Sequence, residues 1–209
     1  MTDSRAHILN RLRHHELTPQ AKAPVYQKPL GLSKAQRIKS FTEKQQAVRG
    51  EVVLLNGSWS DWMDKHFKDA HLLIGTGELG DQASNLKNAK AITHYDQPVE
   101  SWKPDLFEQI DVSITTSHAG LAESGTLILK PTPQEPRLMS LVPPAHVAIL
   151  DANRLYENFA ELMSAEDWSE MPTNLLLISG PSKTADIEQT LAYGIHGPKR
   201  LITLIVNHD

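Results

Sequence analysis

Three short stretches concentrate side chains that could do chemistry. Residues 179–188, SGPSKTADIE, set Lys183 and Thr184 shortly after Gly180 and Ser182, a composition suited to holding an anion on open amides where a strand turns into a helix. A Walker loop is excluded. That loop needs glycine directly before its Lys-Thr pair and another five residues earlier, and Ser182 and Leu177 stand there. What remains is a site for a single carboxylate, with Ser182 or Thr184 as cap and Lys183 as cation, or plain helix initiation. Asp186 and Glu188 already supply negative charge to that end, which disfavours a multiply charged phosphate.

Residues 115–129, TTSHAGLAESGTLIL, hold one acid, Glu123, between Gly120 and Gly125 at a strand junction, followed by Ser124 and Thr126. Nearby amides and the space beside glycine would let this carboxyl act as nucleophile, general base or hydrogen-bonding anchor; the plainer role is an acid that satisfies turn amides. Residues 71–83, HLLIGTGELGDQA, carry Gly75, Gly77 and Gly80 in dinucleotide spacing, with Asp96 where a ribose-binding acid would stand. The segment after Gly80 offers only Ala83, Leu86 and Ala89 as apolar anchors, too few for the long helix that motif requires, so ordinary turns are the favoured reading. His118, His146 and His196 fall near glycine- and proline-rich junctions, but their spacing is no metal signature, and structural or hydrogen-bonding roles are expected of them.

These residues sit in a chain of 209 residues, long enough for one substantial core. Cysteine is absent, which rules out disulfides, thiolate-held zinc or iron–sulfur clusters, and a cysteine nucleophile on these residues. No apolar run approaches a membrane span and the first residues hold no signal core, so a soluble cytoplasmic chain is expected. Charge is uneven: residues 1–49 carry 10 Lys or Arg against 3 Asp or Glu, the remainder 11 against 22. A basic arm that lies on its own body, or on a partner subunit, accounts for this better than nucleic acid, because Tyr26 and Phe41 are the arm's only aromatics.

The pattern predicts a short helix over 4–17, a proline-rich linker over 18–31, and a helix from an N-cap at Ser33 to Gly50. Short apolar runs follow at 52–55, 71–74, 90–93, 111–116, 125–130, 146–150, 174–178 and 201–206. Several lack polar alternation, as strands covered on both faces do. Helices are expected at 58–69, 103–110, 151–165 and 182–193. The whole reads as α/β, a largely parallel sheet flanked by helices, with 1–32 as helical arm and linker and 33–209 as one domain. The closing third predicts a right-handed strand–helix–strand crossover, with Gly194 ending the helix in a left-handed conformation.

Three segments, AGLAESGTLIL at 119–129, PRLMSLVPPAHVAIL at 136–150 and ISGPSKTADIEQTLAYGIHGPKRLITLIV at 178–206, closely resemble the lactate-utilisation protein C family, built on the LUD domain. The resemblance implies a fold like those of ribose-phosphate isomerases and coenzyme A transferases. It also implies an accessory role in oxidising L-lactate to pyruvate beside two partner proteins that carry the iron–sulfur clusters, with no cofactor bound by this chain. Matched residue by residue, it points to Glu123 as a catalytic candidate and to Ser124, Gly125, Thr126, Arg137, Gly180, Ser182, Lys183, Thr184 and His196 as substrate-binding candidates; His146 also falls in the matched segments. Lysine at 183, where the family often has arginine, keeps the charge but loses the two-pronged donor. A stand-alone small-carboxylate or acyl-group enzyme working through Glu123, or a ligand-sensing module, are the alternatives.

Overall fold

Runs without polar alternation become strands because both of their faces are covered. The computed structural model describes residues 4–13, 31–169, 172–184 and 192–207. The first half holds α1 (Ser4–Arg13), α2 (Lys34–Ala47), β1 (Glu51–Leu55), α3 (Trp59–His66), β2 (His71–Ile74), α4 (Glu78–Gln82), β3 (Ala91–His94) and α5 (Lys103–Glu108). Then come β4 (Val112–Ser117), β5 (Ala119–Leu121), β6 (Thr126–Leu129), β7 (Ala145–Asp151), β8 (Leu155–Tyr156) and α6 (Phe159–Ala165). The chain continues with β9 (Leu176–Ile178), β10 (Lys183–Thr184), β11 (Ala192–Tyr193) and β12 (Arg200–Val206), and short 3-10 turns lie between some of these elements.

Six strands form one sheet in the order β1-β12-β7-β4-β2-β3, parallel throughout. The expected α/β architecture, a parallel sheet flanked by helices, is present. One face carries Leu72, Ile74, Val112, Ile114, Val147, Ile202 and Leu204 against Trp59 and Met63 of α3 and Leu79 of α4. On the other face Leu150, Leu201 and Ile205 pack with Phe41 of α2 and Leu127 of β6, while Leu73 meets Trp102, Leu106 and Met139. A smaller sheet, β8-β5-β6-β9, shares this second face.

Ser33 caps α2 as expected, in a reciprocal capping box with Gln36. The helix stops at Ala47, and the left-handed residue beyond it is Arg49, with φ 68°, ahead of Gly50. α1 covers the first part of the helix expected over 4–17; residues 14–30, with the proline-rich linker, lie outside the described residues. The side chains described in α1 are exposed, whereas Phe41 and Gln45 of α2 are buried, so the second basic helix is part of the core.

Three expectations are corrected. The helix expected over 151–165 is broken by β8, which pairs in parallel with Gly120 and Leu121; α6 begins only after its Asn158 cap. Residues 182–193 do not begin or end as a helix: Lys183 and Thr184 pair antiparallel with Tyr193 and Ala192, and 185–191, including Asp186 and Glu188, lie outside the described residues. The strand–helix–strand crossover is also absent. β9 belongs to the smaller sheet, antiparallel to β6, and β12 lies in the large one. Gly194 does take a positive φ of 78°, after a strand instead of a helix.

At one edge of the large sheet Arg200 holds Glu51 with two hydrogen bonds, of 2.6 and 2.9 Å, joining β12 to β1. The guanidinium bond lowers the Glu51 pKa. Both side chains are nearly half exposed, so Glu51→Gln is expected to cost less than about 1 kcal/mol in urea unfolding, with the difference shrinking as salt is raised.

Candidate functional site

His146 is the second residue of β7, an interior strand paired on both sides, so its ring is fully buried. It faces the same side of the sheet as Ser113 and Thr115, and its Nε2 lies 2.8 Å from Thr115 Oγ1. Its Nδ1 is buried and has no hydrogen-bond partner among the described residues. Burial pushes the imidazole pKa down to about 4, so the ring is neutral at pH 7.

A cleft of about 200 Å³ opens beside this ring. One wall is Ser140 and Leu141, at the end of the turn that precedes β7; Ser140 Oγ donates to Arg137 O at 3.0 Å. The second is the loop leaving β9, with Ser179, Gly180, Pro181 and Ser182, and the third is the approach to β12, with His196, Gly197 and Pro198. Ser182 stitches the last two together, its N–H donating to Pro198 O at 2.8 Å and its carbonyl accepting from Gly194 N–H at 3.0 Å. Leu177, Ile178 and Leu201 complete an apolar side. None of the lining residues is acidic. The cleft lies at the amino ends of β7 and β12, opposite the strand ends where open α/β sheets commonly hold ligands.

The three resembling segments converge here, unevenly. Gly180, Ser182 and His196 line the cleft. Thr126 Oγ1 sits 2.7 Å from Ser179 Oγ and 2.7 Å from Ser124 Oγ, so a chain of three hydroxyls runs from the first segment to the cleft wall. Glu123 is exposed on the turn between β5 and β6, its N–H donating to Glu157 O at 2.9 Å, and it is not among the cleft-lining residues. Gly125, at φ 65°, is not open to a ligand: a Cβ there would come within 2.6 Å of Lys44 Cβ, so α2 occupies that space. Lys183 is exposed and Thr184 buried in the β10–β11 pair. Arg137 is exposed and lines a separate crevice with Thr116 and Glu135, for which Ser140 is a shared wall. The residues that sequence reasoning left out of the site are Ser140, His146 and Ser179. A histidine opening the apolar run HVAIL was the available signal for His146.

The histidines divide. His146 and His196 share the cleft, while His118 binds Glu166 at 2.6 Å in a cluster with Arg154 and Tyr156. Among the described residues no group of three His, Cys, Asp or Glu is placed to hold a metal. The glycines at 75–80 serve packing. A Cβ on Gly75 would meet Gln134 O at 2.3 Å, Thr76 N–H donates to that same carbonyl, and α4 is only five residues long. The 134–135 loop thus covers the carboxyl end of β2, where a pyrophosphate would have to lie. Beside it, Glu135 accepts from Thr116 N–H and Oγ1 at 2.8 and 2.9 Å; burial nonetheless raises its pKa.

An all-parallel sheet backed by a smaller mixed sheet, with an acid-free cleft lined by residues of both, defines an α/β protein. The chain belongs to the LUD domain family, whose profile matches residues 36–206. An uncharacterized protein of Neisseria meningitidis serogroup B is 34% identical over 99% of this chain and 94% of its own length. The lactate utilization protein C of Macrococcus caseolyticus is 32% identical over 73% of this chain, and that of Halalkalibacterium halodurans 36% over 47%. The aligned regions span 62% and 45% of those two proteins. The crystal structure of a DUF162 family protein from Deinococcus radiodurans shares the fold, with a TM-score of 0.58 at 17% identity, over 84% of this chain and 99% of that one. The Macrococcus and Halalkalibacterium relatives are both named for lactate utilization. No described helix is long and apolar enough to cross a membrane.

Proposed function

We propose that this chain is a cytoplasmic accessory subunit of a system that oxidises L-lactate to pyruvate, with the iron–sulfur clusters carried by two partner proteins. The observation that carries the reading is the pairing of lactate-utilisation relatives with a chain that has no cysteine, and hence no thiolate to hold a cluster. Electrons from lactate then travel through the partners, and the contribution of this chain is binding and assembly. α1, exposed and carrying Arg11 and Arg13 in its last turn, serves as a docking arm for an acidic partner surface. Gly180, Ser182 and His196 belong to the cleft that receives a small carboxylate, and the Ser124–Thr126–Ser179 hydroxyls hold its wall in place.

The test is genetic and biochemical. Deleting the gene is expected to abolish growth on L-lactate while growth on pyruvate continues, and the tagged chain is expected to co-purify with two cysteine-rich partners. Undiminished growth on lactate, with the chain repeatedly recovered alone, refutes the proposal. Because Glu123 is exposed and outside the cleft, a strain carrying Glu123→Gln is expected to grow on lactate like the wild type; loss of growth with a folded variant would favour an enzyme acting through that carboxyl.

A further inference from the structure

The order β1-β12-β7-β4-β2-β3 puts a switch point between β2 and β4: the chain leaves β2 toward β3 on one side and leaves β4 toward β7 on the other. In open parallel sheets the crevice outside the carboxyl ends of two such strands is where ligands are held. Here β4 outruns β2. Their pairing stops at Ile74 and Ile114, so Thr116 stands beyond it, exposed, with a paired strand, β7, on one side only. Its N–H and Oγ1 donate to one oxygen of Glu135, at 2.8 and 2.9 Å, where the acceptor of a ligand would sit.

Glu135 reaches that place from a strap, residues 130–136, that holds Pro131, Pro133 and Pro136. The strap is tied to the end of β2 by its backbone, Gln134 O accepting from Thr76 N–H at 3.0 Å. A carboxyl is costly there: burial raises its pKa, and neither Lys130 nor Arg137, which are exposed and line the same crevice, pairs with it. Thr116 is also the residue that this crevice shares with a second pocket, of about 240 Å³. Ile149 and Val206 of the sheet line that pocket together with Trp59 of α3 and Leu79 and Gln82 of α4. The indole N–H of Trp59 is already satisfied by Gln82 Oε1 at 2.7 Å, and Glu78, the acid in the lining, is exposed and accepts from Gln82 Nε2 at 3.4 Å.

We infer that the carboxyl end of β4 is a binding site for a monocarboxylic acid with an apolar body, an aryl or medium-chain alkyl acid, and that Glu135 is the site's own competitor. The carboxylate of the ligand replaces that of Glu135 on Thr116 N–H and Oγ1, on the side where Lys130 and Arg137 stand, and its body lies against Ile149, Val206 and Trp59. A volume below the ~300–1,000 Å³ of pockets for drug-sized ligands limits that body to one ring or a short chain. L-lactate has no such body and is a poor ligand here. The site lies at the other end of β7 from the cleft of Ser182 and His196, and it does not rest on the accessory-subunit reading.

The test is a titration of the full chain, labelled with carbon-13 in the isoleucine methyls and nitrogen-15 in the backbone, with phenylacetate and hexanoate beside phenylacetamide and L-lactate. The Ile149 δ1-methyl signal is assigned by its loss in Ile149→Val. Saturable shifts of that methyl and of the Thr116 amide with the two acids, and little response to phenylacetamide or lactate, are the expected result. Because Glu135 must leave before the ligand can bind, Glu135→Ala is expected to tighten binding about tenfold, with Glu135→Gln, which keeps the acceptor contacts without the charge, in between. A Glu135 that only supports the loop predicts the opposite sign, and weaker binding in the folded variants overturns the inference. Silence of both signals up to millimolar acid in the wild type and in Glu135→Gln, or equal shifts with phenylacetamide, overturns it as well.

Discussion

Between pH 6.5 and pH 4 the folded chain is expected to lose about 3 kcal/mol of stability through one side chain, His146. The sign follows from which state binds the proton. Unfolded, the imidazole titrates near its ordinary value of 6.5; folded, burial holds it neutral down to about 4. In that window the unfolded chain takes up a proton that the native chain refuses, so acid favours unfolding, and the contribution is complete only above pH 6.5. Glu135 works in the opposite direction: burial raises its carboxyl pKa, so protonation favours its folded form and offsets part of the loss. Comparing wild type with His146→Gln by urea unfolding at pH 7 and pH 4.5 isolates the histidine, because all other groups are common to both proteins. The variant should be less sensitive to acid by about 2–3 kcal/mol, whatever its stability at pH 7. An equal loss in both proteins would mean that the ring reaches a partner that the native fold does not show.

Replacing Phe41 by alanine is expected to cost about 3–5 kcal/mol, measured as a fall in the urea midpoint with an unchanged slope. The ring is fully buried, and the cluster around it draws on α2, β6, β7, β8 and β12. Collapse around the vacancy would have to move two sheets and a helix at once, so little of the lost packing can be recovered. Loss of the same ring should also loosen Gln45, one turn later in α2, whose Nε2 donates to Gly125 O at 2.6 Å. If Phe41→Ala unfolds within about 1 kcal/mol of the wild type, α2 is peripheral to the core and the basic segment can be treated as a detachable arm.

The parallel sheet was readable from sequence because its strands are buried on both faces. Runs such as those around Leu72–Ile74 and Leu201–Ile205 carry no polar alternation, and few other structures tolerate that. Sheet membership was not readable. Leu176, Leu177 and Ile178 look as apolar as any central strand, yet Leu177 is 54% exposed, at the margin of the smaller sheet. The segment around Lys183 failed for a related reason: helix-like composition says nothing about Tyr193 and Ala192, whose pairing from the far side fixes Lys183 and Thr184 as strand. At the site, motif residues Ser182, Gly180 and His196 did come together, because the β6–β9 pairing and the approach to β12 bring distant loops to one place. Glu123 stood out as a lone acid among glycines. Those glycines admit α2 and the side chains of Leu150 and Leu155, a cause that lies in tertiary packing and leaves no local mark.

β12 comes last among the described strands yet is wedged into the sheet between β1 and β7, with Ile202 opposite Glu51 on one side and Val147 on the other. During translation, β1 leaves the ribosome about 150 residues before the strand it must pair with, so the nascent chain carries two open backbone edges for most of its synthesis. A premature stop ahead of Arg200 would make that condition permanent. The shortened product would keep most of its apolar residues and lose the wedge that closes them in, leaving a substrate for chaperones and proteases.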